Sequence, residues 1–131
     1  MKYVYPAVFT PEESGLYAVD FPDLKNCFTS GKGLPEAMEM AQDVLCMTLY
    51  DMEQAEQAIP PASDISSVAR EANEFVSLVA CDTLEYRKLH ASAAVKKTLS
   101  IPAWLNAMAE KQGVNFSQVL QEALKEKLHV G

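Results

Sequence analysis

The chain has 131 residues, of which 49% are apolar, so it is long enough for one ordinary domain or two small ones. No apolar run approaches membrane-spanning length, and the start MKYVYPAVFTPEE lacks the charged and apolar segments of a secretory signal. The net charge of −7 is uneven, because residues 1–94 hold six Lys or Arg and fifteen Asp or Glu, whereas residues 95–131 hold five and three. This acidic body (residues 1–94) and mildly basic tail (residues 95–131) fit a protein whose end contacts phosphates and whose body contacts a basic partner. A merely solvated acidic surface would have the same composition.

The cysteines and histidines do not indicate a metal or catalytic site. Cys27, Cys46 and Cys81 are odd in number and have neither metal-ligand nor disulfide-scaffold spacing, which predicts buried, reduced thiols in a cytoplasmic protein. His90 and His129 have no ligand partner nearby in the sequence. We therefore predict no metal and no other cofactor.

The acidic body begins with three predicted strands, at residues 2–9, 16–21 and 26–30, which are rich in aromatic and β-branched side chains. Pro6 lies inside the first strand and cannot donate to a ladder, so a bulge or an unpaired side is needed there. Gly31 and Gly33 then free the backbone for a change of direction.

One long helix is predicted over residues 34–59, with Pro35 at its first position and Pro60-Pro61 at its end. Its predicted apolar face consists of Leu34, Met38, Ala41, Leu45, Thr48, Met52 and Ala55. The helix is also rich in methionine, at Met38, Met40, Met47 and Met52. Such a stripe can form an adaptable binding groove, but packing against the sheet is the more frequent explanation and is the one we favour.

The body ends with an apolar strand at residues 75–80 and a short helix at residues 83–90. Asp82 and Glu85 have the spacing of a capping box at the start of this helix. Residues 91–94 form the linker to the tail. The order β-β-β-α-β predicts an α+β fold in which a meander, a crossover helix and a returning strand make a sheet with one helical face.

The tail begins with an alternating pattern, in which Lys96, Thr98 and Ser100 are polar and Val95, Leu99 and Ile101 are apolar. Lys97 breaks the apolar face, so the strand is predicted at residues 96–101. Pro102 suits the start of a helix that Gly113 ends. Asn115 can cap a second helix by accepting from the amide of Ser117 or Gln118. The apolar stripes of the two helices are Leu105, Met108 and Ala109 in the first, and Phe116, Val119, Leu120, Ala123, Leu124 and Leu128 in the second.

One strand and two short helices cannot be stable alone, so we expect a symmetric dimer in which two copies of the strand pair antiparallel over four helices. Such a two-stranded ribbon fits the DNA major groove. In this order and spacing the tail, residues 95–131, resembles the ribbon-helix-helix family. The resemblance implies that Lys96, Thr98 and Ser100 read bases, and that Asn115, Phe116 and Ser117 hold a phosphate at a helix N-terminus. The predicted dimer core is Leu99, Ile101, Leu105, Val119, Leu120 and Leu124.

Two other interpretations of the tail remain. It could dimerise without binding nucleic acid, or it could be a helix-turn-helix, since two helices joined through a glycine-containing turn also fit that motif. In a helix-turn-helix the second helix would present Gln118, Gln121, Glu122 and Lys125 to DNA. Glu122 suits the groove poorly and the patterned strand would have no role, so we favour the ribbon.

Three segments of the body carry a second resemblance: GLYAVDFPDLKNCFTSGKGLPEAMEMA, then IPPAS, then VSLVACDTLEYR. They resemble the HicB antitoxin family, and with the tail this resemblance covers essentially the whole chain, departing at Leu34-Pro35, where the family usually has a hydroxyl cap. It implies that residues 1–90 are a shortened, non-catalytic relative of the ribonuclease H fold that binds and neutralises a small, basic, RNA-cleaving toxin of the HicA type. It also implies repression of the shared operon through operator DNA by a homodimer, with room for a higher oligomer and no membrane partner. The toxin-binding residues are unknown, and the acidic side chains that are candidates for contact are Glu12, Glu13, Asp51 and Glu53.

An enzyme is the least favoured function. Two-metal phosphodiester chemistry needs converging carboxylates that begin on the first strand, and residues 2–9 contain none. Asp23 is expected to be a turn residue. The alternative to an antitoxin is a stand-alone ribbon-helix-helix transcriptional regulator whose N-terminal domain senses a small ligand. A very short, basic reading frame beside the gene would favour the antitoxin.

Overall fold

Four strands form one antiparallel sheet in the computed structural model, which describes all residues, 1–131. They are β1 (Lys2–Pro11), β2 (Leu16–Asp20), β3 (Phe28–Lys32) and β4 (Phe75–Asp82), in the spatial order β3-β2-β1-β4. The first three make a meander, and β4 returns to pair with β1. The pairing of β1 with β2 begins only at Val8, so Pro6 has a strand partner on one side, where it lies opposite Leu78 of β4. The missing N–H of Pro6 is therefore accommodated without a bulge. The predicted α+β class and the predicted order of elements along the chain, β-β-β-α-β, are confirmed.

Four helices accompany the sheet: α1 (Gly33–Gln54), α2 (Thr83–His90), α3 (Ala103–Lys111) and α4 (Phe116–Leu128). The chain divides into two compact units, residues 1–93 and 94–131, and all four strands belong to the first. None of the helices combines the length and the apolar character that crossing a membrane requires.

The core of the first unit lies between α1 and one face of the sheet. Phe9, Val19 and Val79 from three strands are buried against Leu45 and Leu49 of α1. The three thiols are free and buried, as predicted; they belong to Cys27, Cys46 and Cys81.

The predicted apolar face of α1 is correct in part, since Ala41 and Leu45 are buried and Met52 packs against the core. The buried residues of the helix are Ala37, Ala41, Leu45, Cys46 and Leu49. Leu34 and Met38 were expected inside but are about half exposed, and so are Met40 and Met47. Of the four methionines, only Met52 packs against the core. The expectation that the methionine stripe covers the sheet is therefore wrong for three of its four members.

The end of α1 also differs from the prediction. The helix stops at Gln54, five residues before the expected end, because Glu56 adopts a left-handed conformation with φ of 53°. The amides of Glu56 and Gln57 turn back to the carbonyls of Glu53 and Met52, at 3.1 and 2.9 Å, in a Schellman motif. Pro60-Pro61 follows the stop and does not cause it.

Two glycines flank the start of α1 and have different roles. Gly33 has a φ of 81° and makes the predicted change of direction. Gly31 is needed for space, because a Cβ there would lie 2.5 Å from the backbone nitrogen of Ala37.

The start of α2 is capped by Asp82, whose carboxylate accepts from the Leu84 amide at 3.0 Å. Glu85 bonds to Lys88 at 3.3 Å instead of completing the predicted capping box.

Candidate nucleic-acid interface

The turn between α3 and α4 has the local geometry that the sequence predicts. Gly113 has a φ of 67°, its amide bonds to the Glu110 carbonyl at 3.0 Å, and the Val114 amide bonds to the Ala109 carbonyl at 3.1 Å. This Schellman motif ends α3 at Lys111. Pro102 was predicted to be the first residue of α3, but it is the N-cap, and the helix begins at Ala103. The Pro102 carbonyl accepts the first helical hydrogen bond, from the Asn106 amide at 3.0 Å.

The N-terminus of α4 is capped by Asn115, whose side-chain oxygen accepts from the Gln118 amide at 3.1 Å, as predicted. The first bond within the helix runs from Val119 to the Asn115 carbonyl at 3.1 Å. The amides of Phe116 and Ser117 precede that bond and have no partner within the helix. They point out of a helix end where the dipole is positive, which is where an anion is stabilised.

No residue of the second unit is buried. In the single chain, the residues predicted to form a dimer core are between 36% and 57% exposed. They are Leu99, Ile101, Leu105, Val119, Leu120 and Leu124. A single copy of this unit therefore has no core of its own.

The segment before α3 has no helix or strand from residue 92 to residue 102, so the strand predicted at residues 96–101 is not formed in the single chain. Strand pairing needs a partner backbone, so the prediction depends on a second copy and stays a prediction. Leu99 and Ile101 line a groove of about 600 Å³ with Phe116 and Leu120 of α4. Lys96, Thr98 and Ser100 are absent from that groove and are exposed. Lys96 and Thr98 line a separate depression beside Leu120 and Leu124, whereas Lys97 lines the apolar groove, so the single chain separates the polar and apolar sets only in part.

Two carboxylates of the first unit, those of Glu53 and Asp23, hold separate parts of the fold together. Glu53 accepts from the hydroxyl groups of Tyr3 and Thr83, at 2.8 and 2.9 Å, and lies 3.7 Å from Arg87. The Asp23 carboxylate accepts from the Ser63 amide at 2.8 Å and from the Ser63 hydroxyl, so it tethers the loop after α1 and is more than the turn residue expected. No group of three or more His, Cys, Asp or Glu side chains is arranged to hold a metal ion.

Two of these features were missed by the sequence analysis. Glu53, a candidate for toxin contact, is instead used within the fold, because it accepts hydrogen bonds from Tyr3 and Thr83. Burial, together with the hydrogen bond to Glu53, raises the pKa of Tyr3 to about 12. Thr83 is the one buried polar residue of the chain and joins the start of α2 to the end of α1. A threonine and a tyrosine far apart in sequence give no pattern that would predict this cluster.

Comparison with known proteins gives a consistent result. Residues 5–124 match the family described as HicB-like antitoxin of bacterial toxin–antitoxin systems. The antitoxin HicB of Escherichia coli K12 is 38% identical to the chain over 64 residues, which are 48% of this chain and 46% of that protein. The antitoxin HicB of Escherichia coli O157:H7 matches equally well. The match thus spans about half the length of these curated relatives.

Among solved structures, a chain of the toxin–antitoxin complex from Streptococcus pneumoniae superposes with a TM-score of 0.64 at 32% identity. The alignment covers 97% of this chain and 99% of that one. The antitoxin HicB of Burkholderia pseudomallei superposes with a TM-score of 0.54 at 16% identity, over 96% of each chain, which is a likeness of fold alone.

Proposed function

Because this chain belongs to the family of HicB-like antitoxins of bacterial toxin–antitoxin systems, we propose that it neutralises a small RNA-cleaving toxin of the HicA type and represses its own operon as a DNA-bound dimer. The first unit binds the toxin, and the second dimerises and binds the operator. We assign the chain no catalytic activity of its own.

The observation that carries the dimer is the lack of a core in residues 94–131. Leu99, Ile101, Leu120 and Leu124 are each more than a third exposed, although their spacing is that of residues meant for burial. A second copy would cover these side chains, and it would also supply the backbone partner that the segment at residues 96–101 lacks. Both deficits are removed by the same ribbon-helix-helix dimer.

The same arrangement supplies a DNA-binding face. In a paired ribbon Lys96, Thr98 and Ser100 of both copies would lie on the side away from the apolar core, where a ribbon meets base edges in the major groove. The amides of Phe116 and Ser117, next to the Asn115 cap, would together hold one backbone phosphate of the operator. The net charge of +2 over residues 95–131 favours this contact.

The charge of the first unit fits the toxin partner. Residues 1–94 carry a net charge of −9, and a protein that binds RNA presents positive charge, so the two are attracted at long range.

A growth assay followed by co-purification tests the proposal. The short reading frame beside this gene is induced in a bacterial host with and without the full-length chain, and the two proteins are then purified through a tag on one of them. We expect growth arrest that this chain relieves, and elution of both proteins together. An inert neighbouring reading frame, or arrest without relief, would contradict the antitoxin function and leave a DNA-binding regulator with another ligand.

A further inference from the structure

The α1 helix has a second apolar stripe beside the one that is buried against the sheet, and its middle residue, Val44, also packs against the core. Met40, Val44 and Met47 recur at spacings of four and three, so they lie on one side of the helix. Met40 and Met47 are 39% and 46% exposed, whereas the core stripe of α1 is buried. Two exposed methionines about two turns apart form a flexible, polarisable surface that adapts to the shape of a partner.

This stripe is the floor of a groove within the first unit. Tyr86 and His90 of α2 form one wall, Thr29 of β3 contributes to the lining, and the groove encloses about 450 Å³. The Tyr86 ring stacks on His90 with centroids 4.1 Å apart and lies 5.2 Å from the Tyr50 ring. Stacked rings hold this wall in place, so the groove combines a fixed aromatic side with an adaptable methionine floor.

The charge around the groove has a single sign on α1. Residues 33–54 contain five Asp or Glu and no Lys, Arg or His. Glu53 is bonded inside the fold, whereas Glu36, Glu39, Asp43 and Asp51 are exposed and form no ion pair. On α2, Arg87 is paired with Glu53 and lies over the Tyr50 ring at 5.5 Å, and Lys88 is paired with Glu85 at 3.3 Å. The charges without an ion-pair partner on α1 beside the methionines are therefore negative.

We propose that this acid-rimmed methionine groove is the surface that binds the toxin, through a positively charged face that also presents apolar side chains. The inference rests on the proposed antitoxin function and adds the location of the contact. The opposite face of the sheet also exposes apolar residues, Val4 at 49% and Leu78 at 53%, but its exposed charges are mixed in sign, since Lys2 and Lys32 share that face with Asp20. A second copy of this chain would bring like charges together on α1, which disfavours self-association there.

Matched charge insertions test the location. In the full-length chain, Met47→Lys places a cation in the groove, and Leu78→Lys places the same cation on the opposite face at a similarly exposed position. The affinity of each purified variant for the product of the short neighbouring reading frame is measured by isothermal titration calorimetry. We expect Met47→Lys to weaken binding by about tenfold or more, and Leu78→Lys to change it by less than about twofold. The near-isosteric Asp43→Asn should weaken binding less, and mainly at low salt, because it removes one rim charge without changing shape.

The possible outcomes separate this inference from the function on which it rests. If the wild-type chain binds the toxin and Met47→Lys binds equally well, the location is wrong and the antitoxin function stands. A loss caused by Leu78→Lys alone would move the contact to the opposite face of the sheet. If Met47→Lys changes the oligomeric state of the free chain in light scattering, the groove is occupied by a second copy, and the inference fails. If the wild-type chain does not bind the toxin, the proposed function fails together with the inference.

Discussion

A Cβ placed on Gly31 would lie 2.5 Å from the backbone nitrogen of Ala37, so β3 and α1 are in backbone-to-backbone contact at this point. The neighbouring atoms are also main chain, at 2.6 Å for the Ala37 Cα and 2.8 Å for the Glu36 carbonyl carbon. Main-chain atoms in a helix cannot rotate away as a side chain can. The seating of α1 on the sheet, and with it the position of the methionine groove, therefore depends on the missing side chain at Gly31.

We expect Gly31→Ala to lower the free energy of unfolding by about 2 kcal/mol, because the helix must move to relieve the overlap. Urea denaturation followed by circular dichroism measures the loss. The control is Ser30→Ala on the same strand, where the side chain is exposed and we expect a change within about 0.5 kcal/mol. Equal stability of the two variants would mean that α1 slides on the sheet without cost.

Tyr3 predicts a dependence of stability on alkaline pH. Its folded pKa is about 12, above the usual value of 10.0, so the unfolded chain loses this proton first as the pH rises. The stabilisation from Tyr3 is therefore complete below pH 10 and is lost as the pH rises from about 10 to about 12. Tyr3→Phe should reduce the slope of unfolding free energy against pH in this window. An unchanged slope would show that the hydrogen bond to Glu53 does not survive in solution.

The sequence predicts the secondary structure of the first unit well because its signals are local. Strand alternation, the αL position of Gly33 and the Asp82 cap each depend on a few neighbouring residues. The end of α1 was missed because its left-handed residue is Glu56, and no glycine or asparagine marks it. The buried face of α1 was predicted only in part, with Ala41 and Leu45 but without Ala37 and Leu49, because apolar residues cover more than one side of the helix and periodicity does not fix where the buried face is centred.

The candidate site was predicted only in part, for a similar reason. The Asn115 cap and the Gly113 turn are local and were predicted correctly. Strand pairing at residues 96–101 depends on a second chain, so this prediction is tested by examining the dimer in solution. The methionine groove joins Met40 and Met47 to Tyr86 and His90, almost forty residues further along the chain, and no motif connects them.

The predicted dimer core can be tested within one helix. Leu105 faces the apolar side of α3, whereas Ala107 lies about 200° further around the helix, on the opposite side. We expect Leu105→Asp to convert the full-length chain into a monomer at micromolar concentration, because a buried carboxylate at a twofold interface has no partner. Ala107→Asp, with the same added charge, should remain a dimer. Multi-angle light scattering distinguishes the two, and a dimeric Leu105→Asp variant would place the interface elsewhere.

Base reading by the tail predicts a separation of functions. We expect Lys96→Ala together with Thr98→Ala to abolish detectable operator binding by lowering the affinity roughly a hundredfold or more, because each contact occurs twice in a dimer. The dimer and toxin neutralisation should be unaffected, since both side chains are exposed and absent from the apolar groove. The measurement is a gel shift with the promoter region of the gene. Retained affinity would rule out base reading by the strand and favour contact through α4.

The fragment of residues 1–94 tests whether the two units divide the work. Every buried hydrophobic residue of the chain, from Tyr5 to Cys81, lies in this fragment, so we expect it to fold alone and to show a cooperative urea transition. It should relieve toxin-induced growth arrest but repress the promoter poorly, because it lacks both the DNA-binding face and the dimer that doubles weak contacts. The full-length chain, expressed at the same level, is the control. If the folded fragment fails to relieve the arrest, toxin binding needs the tail or the avidity of the dimer, and the separation of the two functions is wrong.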